Sequence, residues 1–460
     1  MKENPPFTLT QQLINLIRSK SVNPDDLRVA AEFTLDTVAN MLAGFNSEAG
    51  HRFLSWAHPR GFLNTSGNGH HDAGRQAFIL GCLTHILEMD DLHRGSITHP
   101  GCVVIPAVFA LIADPKPEAV SSIHCLEAVL HGYEATARIG QAVGDQHYVI
   151  WHNTATCGPF GSAMAAAHML GLDDMQTAHA LGNAGTQAAG LWEFLKTGAM
   201  SKHIHAGRGA EAGVVVAELA QHGITGALSI LEGEKAFFKA MCADGNPSRI
   251  LEHGDDVWHV HQTSIKPWPS CRHTHPAIKV ALEAAQQLKL RGLSGDDIES
   301  VEVKTYQAAL NLCDRSQPNS LYEAKFSLQH CVAAALVLPC VDFSSFNEKS
   351  RQRLKLLSNR ITVQKSDTYE TAYPAAWGSG LNITLRGGHR VQVDTSEALG
   401  DPANPLSQTD LINKAEMLLK HAGLGSPARL IDEILSMADN GPVPILPLEE
   451  CLEKKLTKNM

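Results

Sequence analysis

Apolar residues recur at three- and four-residue spacing through most of the chain before residue 255, which is the pattern of amphipathic or buried α-helices. The pattern is clearest in five segments: LINLIRSKSV, AAEFTLDTVANMLAGF, RQAFILGCLTHILEMDD, GPFGSAMAAAHMLGL and AEAGVVVAELAQHG. Many of their apolar positions are Ala or Gly, which favours close contacts between buried helices. The pattern predicts a large, all-helical body for this part of the chain.

The texture changes after residue 296, where apolar and polar residues alternate with a period of two, as in half-buried β-strands. The alternation is seen in IESVEVKTY, RITVQKS and LNITLRGGHRVQVDT, and the last has Gly387 and Gly388 where a hairpin turn needs positive φ. Two helical segments, 276–290 and KFSLQHCVAAALVL, lie among these strands. The sequence therefore predicts a smaller α+β domain.

Helical spacing returns near the C-terminus, in DLINKAEMLLKHAG and ARLIDEILSMAD. Spacing alone leaves open whether these two helices close the α+β domain or return to the helical body. A chain of 460 residues is too long for one ordinary core, so two domains are expected.

Composition excludes several classes of protein. The formal net charge of -10 and the lack of a long Lys/Arg run argue against nucleic acid or an anionic membrane as a partner. The N-terminal MKENPPFTLTQQ has no apolar stretch typical of a signal peptide, and no run of apolar residues is long enough to span a bilayer. The ten cysteines are scattered without a Cys-x-x-Cys pair, which argues against a zinc ribbon or a disulfide scaffold. We expect a cytoplasmic protein with reduced thiols.

The stretch from Glu88 to Gly101, EMDDLHRGSITHPG, carries the most chemistry. Adjacent carboxylates after an apolar helix are disfavoured by the helix dipole unless a cation or a function accounts for them. Asp90, Asp91 and His99 could supply an imidazole whose tautomer is fixed by a carboxylate, as general acid/base catalysis requires. A solvated loop with capping aspartates is the competing interpretation.

Two further stretches combine titratable residues with glycine. His152 precedes a small-residue helix, CGPFGSAMAAAHM, and helix N-termini attract anions. Lys202, His205 and Arg208 are interleaved with glycines in SKHIHAGRG, which is expected to form a flexible segment that wraps a carboxylate. No phosphate-binding loop motif is present. The competing interpretation of each histidine is a structural side chain.

The fourth stretch, KPWPSCRHTHP, contains Lys266, Cys271 and Arg272 and lies at the expected domain junction, where small ligands often bind. Its Cys-x-His-x-His spacing could suggest a metal. On a strand-like segment, however, alternate positions give at most two ligands on one face, and no partner cysteine pair is visible. No metal is predicted.

These stretches, DDLHRGSITHPG, HNTATCGPFGS, SKHIHAGRGAEAG and KPWPSCRHTHPAI, followed by YEAKFSLQHCVA, resemble the MmgE/PrpD family in order and spacing over nearly the whole chain. That family includes 2-methylcitrate dehydratase, cis-aconitate decarboxylase and iminodisuccinate epimerase. The resemblance implies a mainly α homodimer without an organic cofactor that acts on a small polycarboxylate. It also implies a large helical domain (1–265 with 401–460), a smaller α+β lid domain (266–400) and an active site in the cleft between them.

The resemblance places the two histidines of the family on His99 and His152 and its lysines on Lys202 and Lys266. Four positions depart from the decarboxylase branch: Glu88 stands for Asp, Leu92 for Thr, Cys271 for His and Leu312 for Tyr. These differences argue against itaconate formation. The first loop reads Ile-Thr-His-Pro-Gly, where the dehydratase branch typically has Trp-Gly-His-Pro-Ser.

The expected chemistry is gain or loss of a proton at a carbon next to a carboxylate. His99 and His152 would act as acid and base, Asp91 would orient an imidazole, and Lys202 could itself be a base. The expected substrate-binding residues are Lys266, Arg208, His205, Arg272, Glu88 and Asp90. Cys271 could serve as a second base in an epimerase, with a buried, inert thiol as its alternative. The first expectation is a dehydratase-like activity. The alternatives, in decreasing order, are an epimerase, a decarboxylase and a non-catalytic binding protein.

Overall fold

The computed structural model describes residues 7–63, 72–112, 120–254 and 257–456. By its internal contacts the chain divides into two units, Met1–Ile265 with Ser407–Met460, and Lys266–Leu406. The protein is mainly α, as the sequence predicts. No helix in the described part of the chain is long and apolar enough to cross a membrane.

The helices are numbered in chain order. Those of the first unit before residue 265 are α1 (Leu9–Ser19), α2 (Pro24–Gly44), α3 (Glu48–Ala57), α4 (Ala73–His85), α5 (Gly101–Ile112), α6 (Ser122–Ala142), α7 (Asp145–Ile150), α8 (Asn153–Met169), α9 (Asp174–Gly185), α10 (Ser201–Gln221) and α11 (Phe237–Met241). The second unit contains α12 (His275–Leu290), α13 (Gln307–Cys313), α14 (Leu321–Lys325), α15 (Leu328–Val337), α16 (Glu348–Ser358) and α17 (Asp367–Ala372). The chain ends with α18 (Gln408–Ala422), α19 (Pro427–Ser436) and α20 (Leu448–Leu456).

Local sequence accounts for many helix ends. Asn23 caps α2 by accepting from the backbone N–H groups of Asp25 and Asp26, and Pro24 occupies the first helical position, where its missing N–H costs nothing. Ser121 caps α6 in the same way. At the other end of a helix, Gly423 stops α18 in the left-handed conformation that glycine adopts without strain.

The centre of the first unit is built by close contact of α4, α8 and α10. A Cβ on Gly207 would lie 2.4 Å from Cys82 Sγ, and one on Gly213 would lie 2.2 Å from Ser162 Oγ. These glycines therefore permit helix packing. The expectation that SKHIHAGRG forms a flexible loop is wrong, because the segment lies within α10. Its glycines allow the helices to pack closely and do not make the backbone flexible.

The C-terminal helices return to the helical unit, which resolves the alternative that spacing left open. Helix α18 packs against α2. Lys414 on α18 forms an ion pair with Asp36 of α2, and its Nζ also donates to the backbone oxygen of Met89 at 2.8 Å. Described helices from both terminal regions of the chain thus belong to the first unit.

Two short strands also belong to this unit, β1 (Leu92–His93) and β2 (Thr263–Ser264), which pair antiparallel. The first unit is therefore not purely helical, contrary to the expectation. The pair fixes the backbone just before the loop that carries His99.

The second unit contains a four-stranded sheet in the order β4-β3-β5-β6. Its strands are β3 (Ile298–Thr305), β4 (Ile361–Lys365), β5 (Ser379–Leu385) and β6 (Arg390–Thr395). Strands β3 and β4 are parallel, while β5 pairs antiparallel with both β3 and β6. The predicted hairpin is confirmed, with Gly387 and Gly388 at positive φ in its turn.

Candidate active site

The loop between α4 and α5 is tied to the start of α8. Asn153 Nδ2 donates to the backbone oxygen of Ser96 at 2.8 Å, and the His99 backbone N–H donates to Thr154 Oγ1 at 3.0 Å. The loop closes on itself where His93 N–H donates to Thr98 O at 2.9 Å. These bonds bring His99 to the N-terminal end of α8, where His152 occupies the N-cap position.

Two residues of this loop have backbone conformations that L-residues rarely adopt. Glu88 has φ of 59° and Ile97 has φ of 50°. Positive φ is especially unfavourable for a β-branched residue such as isoleucine. Strain of this kind, of order 1–3 kcal/mol per residue, persists only where surrounding contacts enforce it, and it is concentrated at functional sites.

The hydrogen bond of His99 determines its tautomer. Its Nδ1 lies 2.5 Å from the backbone oxygen of Asp91. Because a carbonyl oxygen can only accept, Nδ1 must carry the proton. In the neutral ring the basic lone pair is therefore on Nε2, which makes His99 suited to accept a proton through that atom.

The two aspartates of the loop make different contacts. The Asp91 carboxylate, predicted to orient an imidazole, instead accepts from the Gly101 backbone N–H at 3.1 and 3.2 Å. Asp90 faces the imidazoles, with its Oδ2 at 2.5 Å from His85 Nδ1 and 3.4 Å from His99 Nδ1. Orientation of the rings thus falls to Asp90 and to the Asp91 carbonyl.

Asp91 is enclosed by Gly101 and by helices α2 and α6. A Cβ on Gly101 would lie 2.5 Å from Thr37 Oγ1, 2.8 Å from Tyr133 Oη and 2.9 Å from Asp91 Oδ1, so only glycine fits there. Burial, and then the charge of Asp90, raise the pKa of the Asp91 carboxyl well above its usual range, which favours its protonated form.

His152 is buried among aromatic rings. Its ring centroid lies 5.8 Å from that of His85, 6.5 Å from that of His99 and 4.7 Å from that of Trp192. Burial, followed by the positive charge of Lys202, lowers the pKa of His152 well below its usual range. The ring is therefore neutral at physiological pH and can accept a proton.

Lys202, in the first turn of α10, forms a buried ion pair with the strained Glu88. Its Nζ lies 2.6 and 2.8 Å from the two carboxylate oxygens. One turn further along α10, His205 Nδ1 lies 3.3 Å from His152 Nδ1. Burial, and then His85 and Lys202, lower the pKa of His205 to about 4. Lys202 thus supplies positive charge beside two neutral imidazoles.

Arg208 also lies on α10, and the contact described for it is made outside this cluster. Its guanidinium forms an ion pair with Glu211, and 55% of its side chain is exposed. Binding of substrate by Arg208 stays a prediction.

Three predicted site residues lie in the second unit. Lys266 is only 1% exposed. Arg272 is held within its own unit, because it forms an ion pair with Asp401 and its Nη1 donates to Leu399 O at 2.9 Å. Cys271 is half-buried, and its backbone N–H donates to Lys325 O at 2.9 Å. The strand expected here is wrong, because residues 272–274 form a 3-10 turn that leads into α12.

Several of these side chains are also possible metal ligands. The donor atoms of His85, Asp90 and His99 lie within 4.8 Å of one another. In the second unit, His273 Nδ1 lies 2.8 Å from Tyr306 Oη, whereas His275 Nδ1 lies 3.0 Å from Arg272 Nη1. The Cys-x-His-x-His segment therefore directs its imidazoles to different protein partners. A site without metal remains a prediction.

His85 was missed by sequence reasoning. It is fully buried at the end of α4, and its ring lies close to those of both His99 and His152. A single histidine in an apolar helix is usually interpreted as structural. The sequence feature that could have pointed to His85 is its position five residues before Asp90. His85, Asp90, His99, His152, Lys202 and His205 form a buried cluster of titratable groups within the first unit, and this cluster is the candidate acid–base site.

Comparison with known proteins gives the family. Residues 11–250 match the MmgE/PrpD N-terminal domain, and residues 268–439 match the MmgE/PrpD C-terminal domain. The chain belongs to the MmgE/PrpD family, as its motifs predict.

Relatives within the family have two kinds of name. The chain is 25% identical to a cis-aconitate decarboxylase of Aspergillus terreus over 79% of its own length and 78% of the relative. It is 26% identical to the human cis-aconitate decarboxylase, with 74% and 71% covered. It is 23% identical to the mitochondrial 2-methylcitrate dehydratase of Yarrowia lipolytica, with 65% and 59% covered. Both names describe lyases.

Proposed function

We propose that this protein is a lyase that adds or removes a proton at a carbon next to a carboxylate of a small di- or tricarboxylate, without an organic cofactor. The observation that carries the proposal is the buried cluster of His99, His152 and Lys202 in the first unit. Membership in a family whose named relatives act on cis-aconitate or 2-methylcitrate supports the substrate class.

In the proposed mechanism the two histidines transfer protons. His99 accepts or returns a proton at Nε2, because its Nδ1 proton is committed to the Asp91 carbonyl. His152 is the second proton-transfer group, and its low pKa keeps it neutral before the reaction. Each ring would exchange a proton with a reacting carbon or a leaving group of the same small substrate.

Lys202 would stabilise the negative charge that develops when a proton leaves a carbon next to a carboxylate. A fixed cation in a water-poor site is effective because it needs no reorganisation during the reaction. The bidentate contact with Glu88 favours the ammonium form of Lys202. This supports an electrostatic role for Lys202 in preference to the role of base. Lys266 is proposed to bind a second carboxylate.

An epimerase that uses two bases is the second candidate. Eight of the ten cysteines are buried, whereas Cys271 is half-buried and lies within the predicted substrate-binding stretch KPWPSCRHTHP. A half-buried thiol can take part in proton transfer if a neighbouring cation favours its thiolate form. Unchanged deuterium incorporation into substrate by Cys271→Ser would eliminate this candidate.

Proton NMR in deuterated water, with 2-methylcitrate, citrate, cis-aconitate and iminodisuccinate as probes, tests the proposal. We expect at least one of them to be dehydrated, decarboxylated or to exchange a carbon-bound proton, and the product identifies the reaction. If a probe binds but none reacts or exchanges, the proposal is contradicted in favour of a binding protein.

A further inference from the structure

A second cluster of metal-ligating side chains lies on α6 and α8, away from the residues of the candidate active site. His124, Glu127 and His131 follow one another at positions i, i+3 and i+7 on α6, so they share one face of that helix. His168 in the last turn of α8 lies against the same face. Helices α6 and α8 pack directly against each other.

The distances in this cluster suit a bound ion. The donor atoms of His124, Glu127 and His168 lie within 4.8 Å of one another. His168 Nε2 lies 3.4 Å from Glu127 Oε2. That is longer than the roughly 2.7–2.9 Å of a charge-assisted hydrogen bond. Two tetrahedral zinc ligands, each about 2.1 Å from the metal, are about 3.4 Å apart.

His131 lies against His168 on the buried side of the cluster. Its ring lies edge-on to that of His168, with centroids 4.5 Å apart, and only 8% of the residue is exposed. Neither His131 Nδ1 nor His168 Nε2 makes a hydrogen bond to any residue that the structure describes. Buried polar atoms normally have partners, so such atoms in one cluster point to a missing ligand.

The charges of the cluster favour a cation. Glu127 contributes the negative charge. Arg18 is a cation that acts on both His131 and His168, and its guanidinium is paired with Asp174 and donates to Leu172 O and Thr177 Oγ1.

We propose that His124, Glu127 and His168 bind a divalent transition-metal ion, for which zinc is the best match, with the His131 ring packed against His168 as a support. Imidazole nitrogens and one carboxylate are a typical zinc ligand set. Glu127 and His168 keep 34% and 19% of their side chains exposed, so the ion can enter without unfolding of the protein. The bound metal would join α6 to α8.

Zinc titration by calorimetry of chelator-treated protein, together with metal analysis, tests this site. The wild type should bind one more equivalent of zinc than the double variant His124→Ala/His168→Ala. A control that removes two exposed imidazoles, His58→Ala/His222→Ala, should bind as the wild type does. Any zinc held by the His85, Asp90 and His99 group is retained in all three proteins, so the difference reports on the new site alone.

The Glu127→Gln variant keeps the size and polarity of the side chain and guards against misfolding of the double variant. It should weaken the zinc affinity of this site by about tenfold or more while the circular dichroism spectrum is unchanged. Bound cobalt should give the visible absorption of a tetrahedral nitrogen and oxygen site in the wild type, and this signal should be absent from the double variant. Equal zinc stoichiometry in the wild type and the double variant would overturn the proposal.

Discussion

The buried ion pair between Lys202 and Glu88 makes a prediction about stability that can be separated from catalysis. Glu88 is only 4% exposed and Lys202 only 8% exposed. Removing either partner leaves the other charge in a buried position, which typically destabilises a protein by about 3–5 kcal/mol. We consider Lys202→Met and Glu88→Gln, which preserve much of the side-chain volume.

The size of the effect is limited by protonation. Without Lys202, Glu88 can take up a proton, which costs about 4 kcal/mol near pH 7 for a carboxyl with a reference pKa of about 4.3. Without the carboxylate, Lys202 can lose its proton, which costs about 5 kcal/mol near pH 7 for an amine with a reference pKa of about 10.4. The free energy of unfolding should therefore fall by about 4 kcal/mol in Lys202→Met and by up to about 5 kcal/mol in Glu88→Gln.

The two losses should depend on pH in opposite directions. In Lys202→Met the folded state holds a proton that the unfolded state releases, so the loss grows by about 1.4 kcal/mol for each pH unit of increase. In Glu88→Gln the unfolded state takes up a proton that the folded state excludes, so the loss grows as pH falls. The double variant carries neither charge of this pair and should recover most of the stability while remaining inactive.

Urea denaturation from about pH 5.5 to about pH 8.5 measures these differences, with the wild type at each pH as reference. Losses below about 1 kcal/mol, or parallel pH dependences for the two single variants, would refute a buried ion pair at this position. A double variant as unstable as either single variant would also contradict the reasoning, since coupled partners must show a large interaction energy.

Two further predictions concern stability. Burial, and then the charges of Arg138 and Lys20, lower the pKa of His259 to about 3, so the folded state loses stability as pH falls below about 6.5, where only the unfolded histidine gains a proton. Urea denaturation should show a shallower acid loss for His259→Gln than for wild type; an unchanged slope would contradict this cause. Because Ile97 has positive φ, Ile97→Gly should be about 1 kcal/mol more stable than Ile97→Ala by the same assay. Equal or greater stability of the Ala variant would contradict strain at this position.

Regular elements could be predicted because their burial follows the chain periodicity. Strand β6 alternates exposed and buried residues along its whole length, which is the pattern read from RVQVDT. Helix α12 follows the predicted segment and has Pro276 near its start. The short pair of β1 and β2 could not be predicted, because two residues per strand carry no period.

The candidate site was only partly predictable. His99 and Lys202 stood out because each lies in a short stretch dense in titratable residues, and His152 because it precedes a small-residue helix. Whether Asp90 or Asp91 orients an imidazole depends on the backbone path of the loop, and residue spacing does not determine that path. The position of Tyr133 Oη near Asp91 results from the packing of α6, and it cannot be predicted from the sequence either. Glycines in α10 were misread because glycine serves both flexible backbone and close helix packing.

The most direct test of the account is solvent deuterium incorporation by His99→Asn into the substrate identified for the wild type. The asparagine amide introduced by this change can still donate to the Asp91 carbonyl, but it lacks the basic Nε2, so the fold is retained while the proposed proton acceptor is removed. His222→Gln, which changes an exposed histidine, is the matched control. We predict that incorporation falls at least about a hundredfold in His99→Asn and is unchanged in the control. Incorporation by folded His99→Asn at the wild-type rate would contradict proton transfer by His99.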